Sequence, residues 1–183
     1  MAKDEKNSVN RKAEIISAAI EVFAEMGYYR ATTAQVAERA KISQPYVFRF
    51  FATKEALLLG ALEISWVRIQ QSFRQVVESA GAPEELERDL IEAYKEILAS
   101  HMNETNLQMQ AQTMREESIR EVMRGGFRGV HRIVLTAFRQ KGLQNSEDRT
   151  VMFLARGMLC NISWALDIPE LIEGKDYTAE AIR

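Results

Sequence analysis

An all-α fold is what this sequence predicts, and three observations predict it. Only three prolines (Pro45, Pro83, Pro169) and nine glycines interrupt 183 residues, too few for a turn-rich β protein. Apolar residues make up 46% of the chain, enough for a sizeable core. In every long segment they recur at the three-to-four-residue spacing of an amphipathic helix. No run approaches the roughly 18 apolar residues of a membrane span, and the polar N-terminus has no signal-peptide core. A single cysteine, Cys160, excludes an intrachain disulfide framework and a Cys-based zinc site. The expectation is a soluble, cytoplasmic helical protein with no membrane partner.

Charge is divided unevenly. Residues 1–54 hold nine Lys/Arg against six Asp/Glu, a net of +3, while residues 55–183 hold fifteen against twenty, a net of −5. A basic N-terminal module on an acidic body suits an anionic partner for the first part only. A solvated helix face gives the same imbalance, so the sign has to be read with the motifs.

Residues 1–8 read as a frayed polar arm, with Ser8 or Asn10 placed to cap the helix that follows. From Arg11 to Met26 the residues Ile15, Ile16, Ala19, Ile20, Phe23 and Ala24 make one apolar stripe, and Gly27 supplies a left-handed stop. Tyr28, Tyr29 and Arg30 form an aromatic and basic connector, available either for packing or for a phosphate contact. Thr32 and Thr33 offer an N-cap for a short helix to about Ala40, with Val36, Ala37 and Ala40 on its inner face. A small residue such as Ala37 lets two helices cross closely. Lys41-Ile42-Ser43 is a three-residue turn in which Ile42 fills the space between helices and Ser43 can cap the next one. Pro45 falls in that helix's first turn, where a missing N–H is no loss. Helix, tight turn and helix make the DNA-binding helix-turn-helix arrangement.

At about 100° per residue the second helix separates two faces. Val47, Phe50 and Phe51 point inward; Pro45, Tyr46, Phe48 and Arg49 point outward, with Gln44 at the exposed tip. Proline, tyrosine and phenylalanine together are an odd display for water, but a major groove has uses for each. Gln44 can hydrogen-bond a base edge, Pro45 and Phe48 can meet thymine methyls, and Tyr46 and Arg49 can reach a base or a phosphate. Packing of Tyr46 and Phe48 on neighbouring helices is the plainer alternative.

Thr32-Thr33, Val36-Ala37, Ala40, Ile42-Ser43, Val47-Phe48, Phe50-Phe51 and Thr53-Lys54-Glu55-Ala56-Leu57 resemble the N-terminal DNA-binding domain of TetR-family transcriptional regulators, over residues of about 11–60. Gln44-Pro45 is similar to the recognition helices of that family that carry Gln-Pro. The resemblance implies a homodimer on a palindromic operator in double-stranded DNA, usually a repressor released by a small-molecule effector. The chain also departs from the family pattern. Phe48 and Phe50 stand where Tyr, and Tyr or His, are frequent, so they bring no phosphate hydrogen bonds. Lys41 and Pro45 stand where Gly is common, and a positive φ at Lys41 would carry strain. Ala34 is too short to reach a base. Phosphate anchoring is therefore expected from Thr33, Ser43, Tyr46, Arg49 and Lys54, the last beside Thr53, an N-cap whose helix N–H groups can share a phosphate.

The body begins with a helix from Thr53 to Ala80 that leaves the DNA-binding part without a break, so movement of its far half would move its near end. Gly81-Ala82-Pro83 is a boundary, and Pro83-Glu84-Glu85 opens the next helix with acids at its N-terminus, as the dipole favours. Residues 101–116 set Met102, Met109 and Met114 among amides, side chains that fill a core or adapt to a ligand. From Glu117 to about Gln140 an arginine-rich amphipathic helix carries Gly125, Gly126 and Gly129, which weaken it by roughly 1 kcal/mol each and imply close helix approach or room for something else. Its arginines are either a solvated face or a second nucleic-acid site. The last long helix, to about Leu166, has apolar residues over too much of its circumference for one buried face. A second helix or a partner subunit must cover the rest, and the subunit contact is expected on Val151, Leu154, Ala155, Met158, Leu159 and Ile162. Phe153 to Asn161 resembles the dimerisation helix of some members of the same family, and Gly157 there would allow close backbone approach. Cys160 reads as a buried small residue rather than a redox sensor. Asp167-Ile168-Pro169 ends the helix, and the tail from Glu173 reads as loosely held.

The full fold prediction is an N-terminal three-helix helix-turn-helix DNA-binding domain over 9–54, followed by a helical-bundle ligand-binding and dimerisation domain over 55–183. Catalysis is not expected: His101 and His131 lie thirty residues apart in no metal or nucleophile spacing, and no phosphate loop or nucleophile elbow is present. No metal and no cofactor are expected. Effector contacts are expected from Trp66, Tyr94, Met109, Met114, Phe127 and His131. The alternative is a helical interaction protein that keeps the helix-turn-helix shape and binds a protein through its exposed aromatics.

Overall fold

The computed structural model describes residues 2–172, with side chains from Ser8 onward except that of Glu84. Among the described residues are eight α-helices: α1 (Ala2–Met26), α2 (Thr33–Arg39), α3 (Gln44–Phe48), α4 (Lys54–Ser79), α5 (Pro83–Ser100), α6 (Met102–Ala111), α7 (Glu117–Gln140) and α8 (Ser146–Leu166), with a 3-10 turn at Pro169–Leu171. Helix α1 starts at Ala2 and runs through Ser8 and Asn10, so the frayed arm and its caps give way to continuous helix. The expectation for the tail from Glu173 lies outside the described residues.

Helices α1–α3 form the N-terminal unit. The stripe Ile15, Ile16, Ala19, Ile20 and Phe23 is buried, and α2 lies against it. Arg39 on α2 reaches back to Glu21 (2.9 Å) and Glu25 (2.7 Å) on α1. The guanidinium hydrogen bond holds the Glu25 carboxyl below its ordinary range. Both pairs are exposed and screened, so the packing beneath dominates. Thr32 caps α2 in a reciprocal box with Gln35, satisfying two otherwise orphaned N–H groups.

The turn into α3 depends on a backbone feature. Ile42 N–H donates to Ala37 O and Lys41 N–H to Glu38 O, both at 3.0 Å, the paired bonds of a Schellman stop. That stop needs a left-handed residue, and Lys41 supplies it at φ 55°, where glycine would carry less strain. Ser43 has cap geometry but makes no side-chain cap bond, unlike its expected role. Val47 and Phe51 are buried, sealing α3 onto the unit.

Thr53 caps α4 through Ala56 N–H (2.9 Å). From there α4 passes into the body and packs against α1, α5, α6 and α7. Its crossing with α7 is close because Gly126 lies under Trp66 and Gly129 under Gln70. Gly125 faces open space, so two of the three glycines serve close approach and the third does not. Gly157 also departs from expectation. It faces Tyr94 on α5 of the same chain, where an added Cβ would make an ordinary 3.4 Å contact.

Candidate nucleic-acid interface and internal cavity

Two regions carry chemistry, one at the start of α4 and one along its middle turns. At the first, α3 is a five-residue helix presenting Gln44, Pro45, Phe48 and Arg49 to solvent. Phe48 is 45% exposed, a large apolar side chain with no cover. Tyr46 is half-buried, stacked edge-on against Phe50 at 5.4 Å, with the Arg49 guanidinium 5.4 Å from its ring. Gln44 does not swing freely: its amide is tied to the Thr33 hydroxyl at 2.8 Å. Thr33 itself is buried, so it orients Gln44 rather than anchoring a phosphate.

Lys54 is a second correction. Its ammonium donates to the carbonyls of Tyr28 (2.9 Å), Ala31 (3.1 Å) and Tyr29 (3.4 Å) and lies 4.5 Å from the Tyr28 ring centroid. An ammonium has three donors, and all are engaged inside the protein. Lys54 thus pins the Tyr28–Ala31 connector onto the start of α4. The connector reads as packing rather than phosphate contact: Tyr28 is buried against Phe23 (5.6 Å), and the Tyr29 hydroxyl donates to Glu116 (3.0 Å), whose carboxyl is lowered first by its own backbone N–H and then by this hydroxyl.

The second region is a narrow, largely apolar cavity enclosed by α4, α5, α6, α7 and α8, with about 610 Å³ of empty space counting its open mouth. Trp66, Tyr94 and Phe127 line it as expected. Met109, Met114 and His131 do not. Met114 is buried in the core and His131 is exposed, because the turn after α6 and the register of α7 direct them away. Leu154 and Met158, expected at a subunit interface, line the cavity instead. Residues that sequence reasoning missed supply the polar points of the wall. Gln108 donates to Ser65 (2.8 Å). Tyr94 donates to Asn161 (2.8 Å), and burial pushes its hydroxyl up to about 12. Trp66 is buried, and its Nε1 has no partner among the described residues, leaving an unspent donor on a lining side chain. Amides at 103–112 hinted at Gln108 and Gln112, but only the helix register shows which amides face inward. Cys160 also lines the cavity, and burial raises its thiol, as a structural cysteine should behave.

The outer face of α8 carries Val151, Met152, Ala155, Leu159 and Ile162, all exposed. Val151, Ala155, Leu159 and Ile162 belong to the surface predicted for a partner subunit.

Three helices with α3 presented outward, mounted on a bundle with an internal cavity, define a helix-turn-helix DNA-binding protein. Residues 15–61 match the family described as bacterial regulatory proteins, tetR family, so the N-terminal unit is a DNA-binding domain of the TetR type. It is 30% identical over 104 residues to the HTH-type transcriptional regulator HbdR of Aromatoleum sp. (strain CIB), covering 57% of this chain and 45% of that protein. It is 25% identical over 139 residues to the fatty acid metabolism regulator protein of Bacillus subtilis (strain 168), covering 73% and 69%. The chain spans less than half the length of HbdR. In fold it is similar to a FadR of Bacillus subtilis solved with stearoyl-CoA, with a TM-score of 0.76 at 18% identity over 87% of this chain and 91% of that one. FadR from Bacillus halodurans gives the same TM-score of 0.76 at 19% identity, covering 86% of each chain. No described helix is long and apolar enough to cross a membrane.

Proposed function

We propose that this chain acts in the cytoplasm as a repressor, a homodimer that binds a palindromic operator and is released when a long-chain acyl thioester enters its cavity. The observation that carries the reading is the continuity of α4. It begins at Lys54, which pins the DNA-binding connector, and from Trp66 onward it supplies Trp66, Ile69 and Phe73 to the cavity wall. Helix α7 gives a second path. Its Phe127 and Val130 line the cavity, while Ser118 near its start donates to Glu55 at 2.5 Å, and Glu116 just before it accepts from Tyr29. A ligand that moves α4 against α7 therefore acts on both supports of the DNA-binding unit, and differential affinity for the two arrangements is what shifts the equilibrium. An acyl chain suits the apolar wall. The relatives named for fatty acid regulation, and the neighbour solved with stearoyl-CoA, favour that class.

On the DNA side, Gln44 reads a base edge, Pro45 and Phe48 meet thymine methyls, and Ser43, Tyr46 and Arg49 hold the backbone. Residues 9–54 serve as the reader, and 55–183 as the effector and dimerisation domain.

Selection of bound sequences from random duplex DNA, followed by titration of the selected duplex with stearoyl-CoA, tests the reading. The expected result is a two-fold symmetric site, affinity that falls steeply with salt, and release by the ligand. No specific duplex at low salt would overturn the operator. A selected complex indifferent to acyl-CoA would overturn the effector.

A further inference from the structure

We infer that the arginine row of α7 is a binding site for the phosphate-bearing head of the effector, a deepening that rests on the acyl-thioester reading above. Arg120, Arg124 and Arg128 follow one another at four-residue intervals, which places them on one face of the helix. All three are exposed and line a surface cleft with Ala111, Gln112, Met123 and Phe127. Gln112 and Phe127 also line the apolar cavity. The basic cleft and the greasy cavity are therefore two compartments with a common wall.

The charge is not balanced within the protein. From residue 122 to 146 there are five cations and no carboxylate. Arg139 pairs with Glu147, and Lys141 donates to the carbonyls of Ala80 and Gly81. Arg120 and Arg124 share the single carboxylate of Glu117. Arg128 makes no ion pair and no hydrogen bond among the described residues. One carboxylate among three guanidiniums leaves a net positive cleft. Guanidinium forks match phosphate oxygens bidentately. An amphiphile with an apolar tail and several phosphates fits both compartments at once: the tail behind Phe127, the phosphates along 120, 124 and 128. Coenzyme A, with a pyrophosphate and a 3′-phosphate, has that head.

Seating anions on α7 also addresses regulation. The helix's N-terminal contacts run to Glu55, through Ser118, and just ahead of it Glu116 holds Tyr29. A phosphate head that takes Arg120 and Arg124 from Glu117, and so releases that carboxylate, acts within one turn of those contacts.

Calorimetric binding of stearoyl-CoA, coenzyme A alone and dodecanoic acid to the full chain, and to its R124Q/R128Q variant, tests the site. The expected result is that the variant binds stearoyl-CoA at least tenfold more weakly and loses most of its salt dependence, with dodecanoic acid binding unchanged. Equal binding of stearoyl-CoA by both proteins would overturn the arginine site and leave the acyl reading standing. Arginine-dependent binding of coenzyme A without any binding of stearoyl-CoA or dodecanoic acid would support the anion site and overturn the acyl reading. No binding of any of the three would overturn both. Circular dichroism of the variant, whose changes are all on exposed side chains, checks that its fold is retained.

Discussion

The indole of Trp66 occupies the place that a side chain at position 126 would need: a Cβ built on Gly126 would stand 2.1 Å from Trp66 Cδ2 and 2.2 Å from Cε2. The α4–α7 crossing, and with it one wall of the cavity, exists because residue 126 has no side chain. Gly126→Ala should therefore displace the indole. Helix propensity favours alanine by about 1 kcal/mol, but overpacking against a rigid ring costs about 1–3 kcal/mol, so the net sign is destabilising. Gly125→Ala meets nothing within 4 Å and should stabilise by up to about 1 kcal/mol. Denaturant unfolding of the two variants gives opposite signs if the crossing is correctly described; a shift of the same sign in both would contradict it.

Lys54 and Arg49 separate fold from DNA affinity. The Lys54 ammonium is committed to three carbonyls, so Lys54→Met should destabilise the chain by about 1.5–3 kcal/mol, the range for hydrogen bonds to a charged group. The salt slope of DNA binding should stay unchanged. Arg49 is exposed and, among the described residues, is held only by the Tyr46 ring. Arg49→Ala should leave stability within about 0.5 kcal/mol and lower the salt slope by about 1. A flattened slope in the Lys54 variant would return that residue to the phosphate backbone.

These two residues also show what was legible before the structure. Lys54 was found from its place after Thr53, because the motif marks the position, but a motif does not say where an ammonium is spent. The carbonyls of Tyr28, Tyr29 and Ala31 converge only once the connector folds back. The stripe of α1, the Gly27 stop, the turn at Lys41 and the inward Val47 and Phe51 were readable because local periodicity and backbone geometry decide them. The cavity was less so. Trp66, Tyr94 and Phe127 were identifiable as large aromatics on three different helices. Met114 missed because it lies in the turn after α6, where no helical period sets its direction, and His131 because an amphipathic stripe does not say which side of α7 meets the cavity and which meets water. Gly157, Leu154 and Met158 line the cavity because α8 is apolar on both faces, and the packing of α5, α6 and α7 against it says which is internal.

The joint between α5 and α6 gives the chain a pH-sensitive point. Arg68 on α4 approaches His101 Nδ1 at 3.2 Å and also pairs with Glu104. A guanidinium only donates, so Nδ1 must accept and the ring must be neutral. Burial first, and then the Arg68 charge, hold the His101 pKa below its ordinary 6.5, outweighing Glu104 at 3.8 Å. With the folded value depressed, the unfolded chain binds more protons between that value and about 6.5, so stability there rises with pH. Thermal unfolding should show full stability above about pH 6.5 and a loss as pH falls below it. His101→Gln keeps an acceptor without a titration, and its melting temperature should fall less between pH 7.5 and pH 5.5 than that of the parent. Parallel curves would remove His101 from the account.

The outer face of α8 is the place to break the proposed dimer without touching the cavity. Val151 (59% exposed), Leu159 (39%) and Ile162 (37%) lie with Ala155 along one side of a three-turn stretch, an apolar strip that a two-fold axis would pair with itself. Ile162→Asp places one carboxylate on each copy. Burying them together costs several kcal/mol unless they find partners, far more than one exposed isoleucine contributes to the fold of a single chain. Sedimentation should therefore show a folded monomer, with unchanged helical circular dichroism and weaker binding to a symmetric duplex. Leu154→Asp, on the cavity side of the same helix, should instead lower the melting temperature, since it buries a charge within the chain. A variant at Ile162 that still sediments as a dimer would place the subunit contact elsewhere. A dimer lost only on changing Leu154 would mean that α8 turns its other face to the partner.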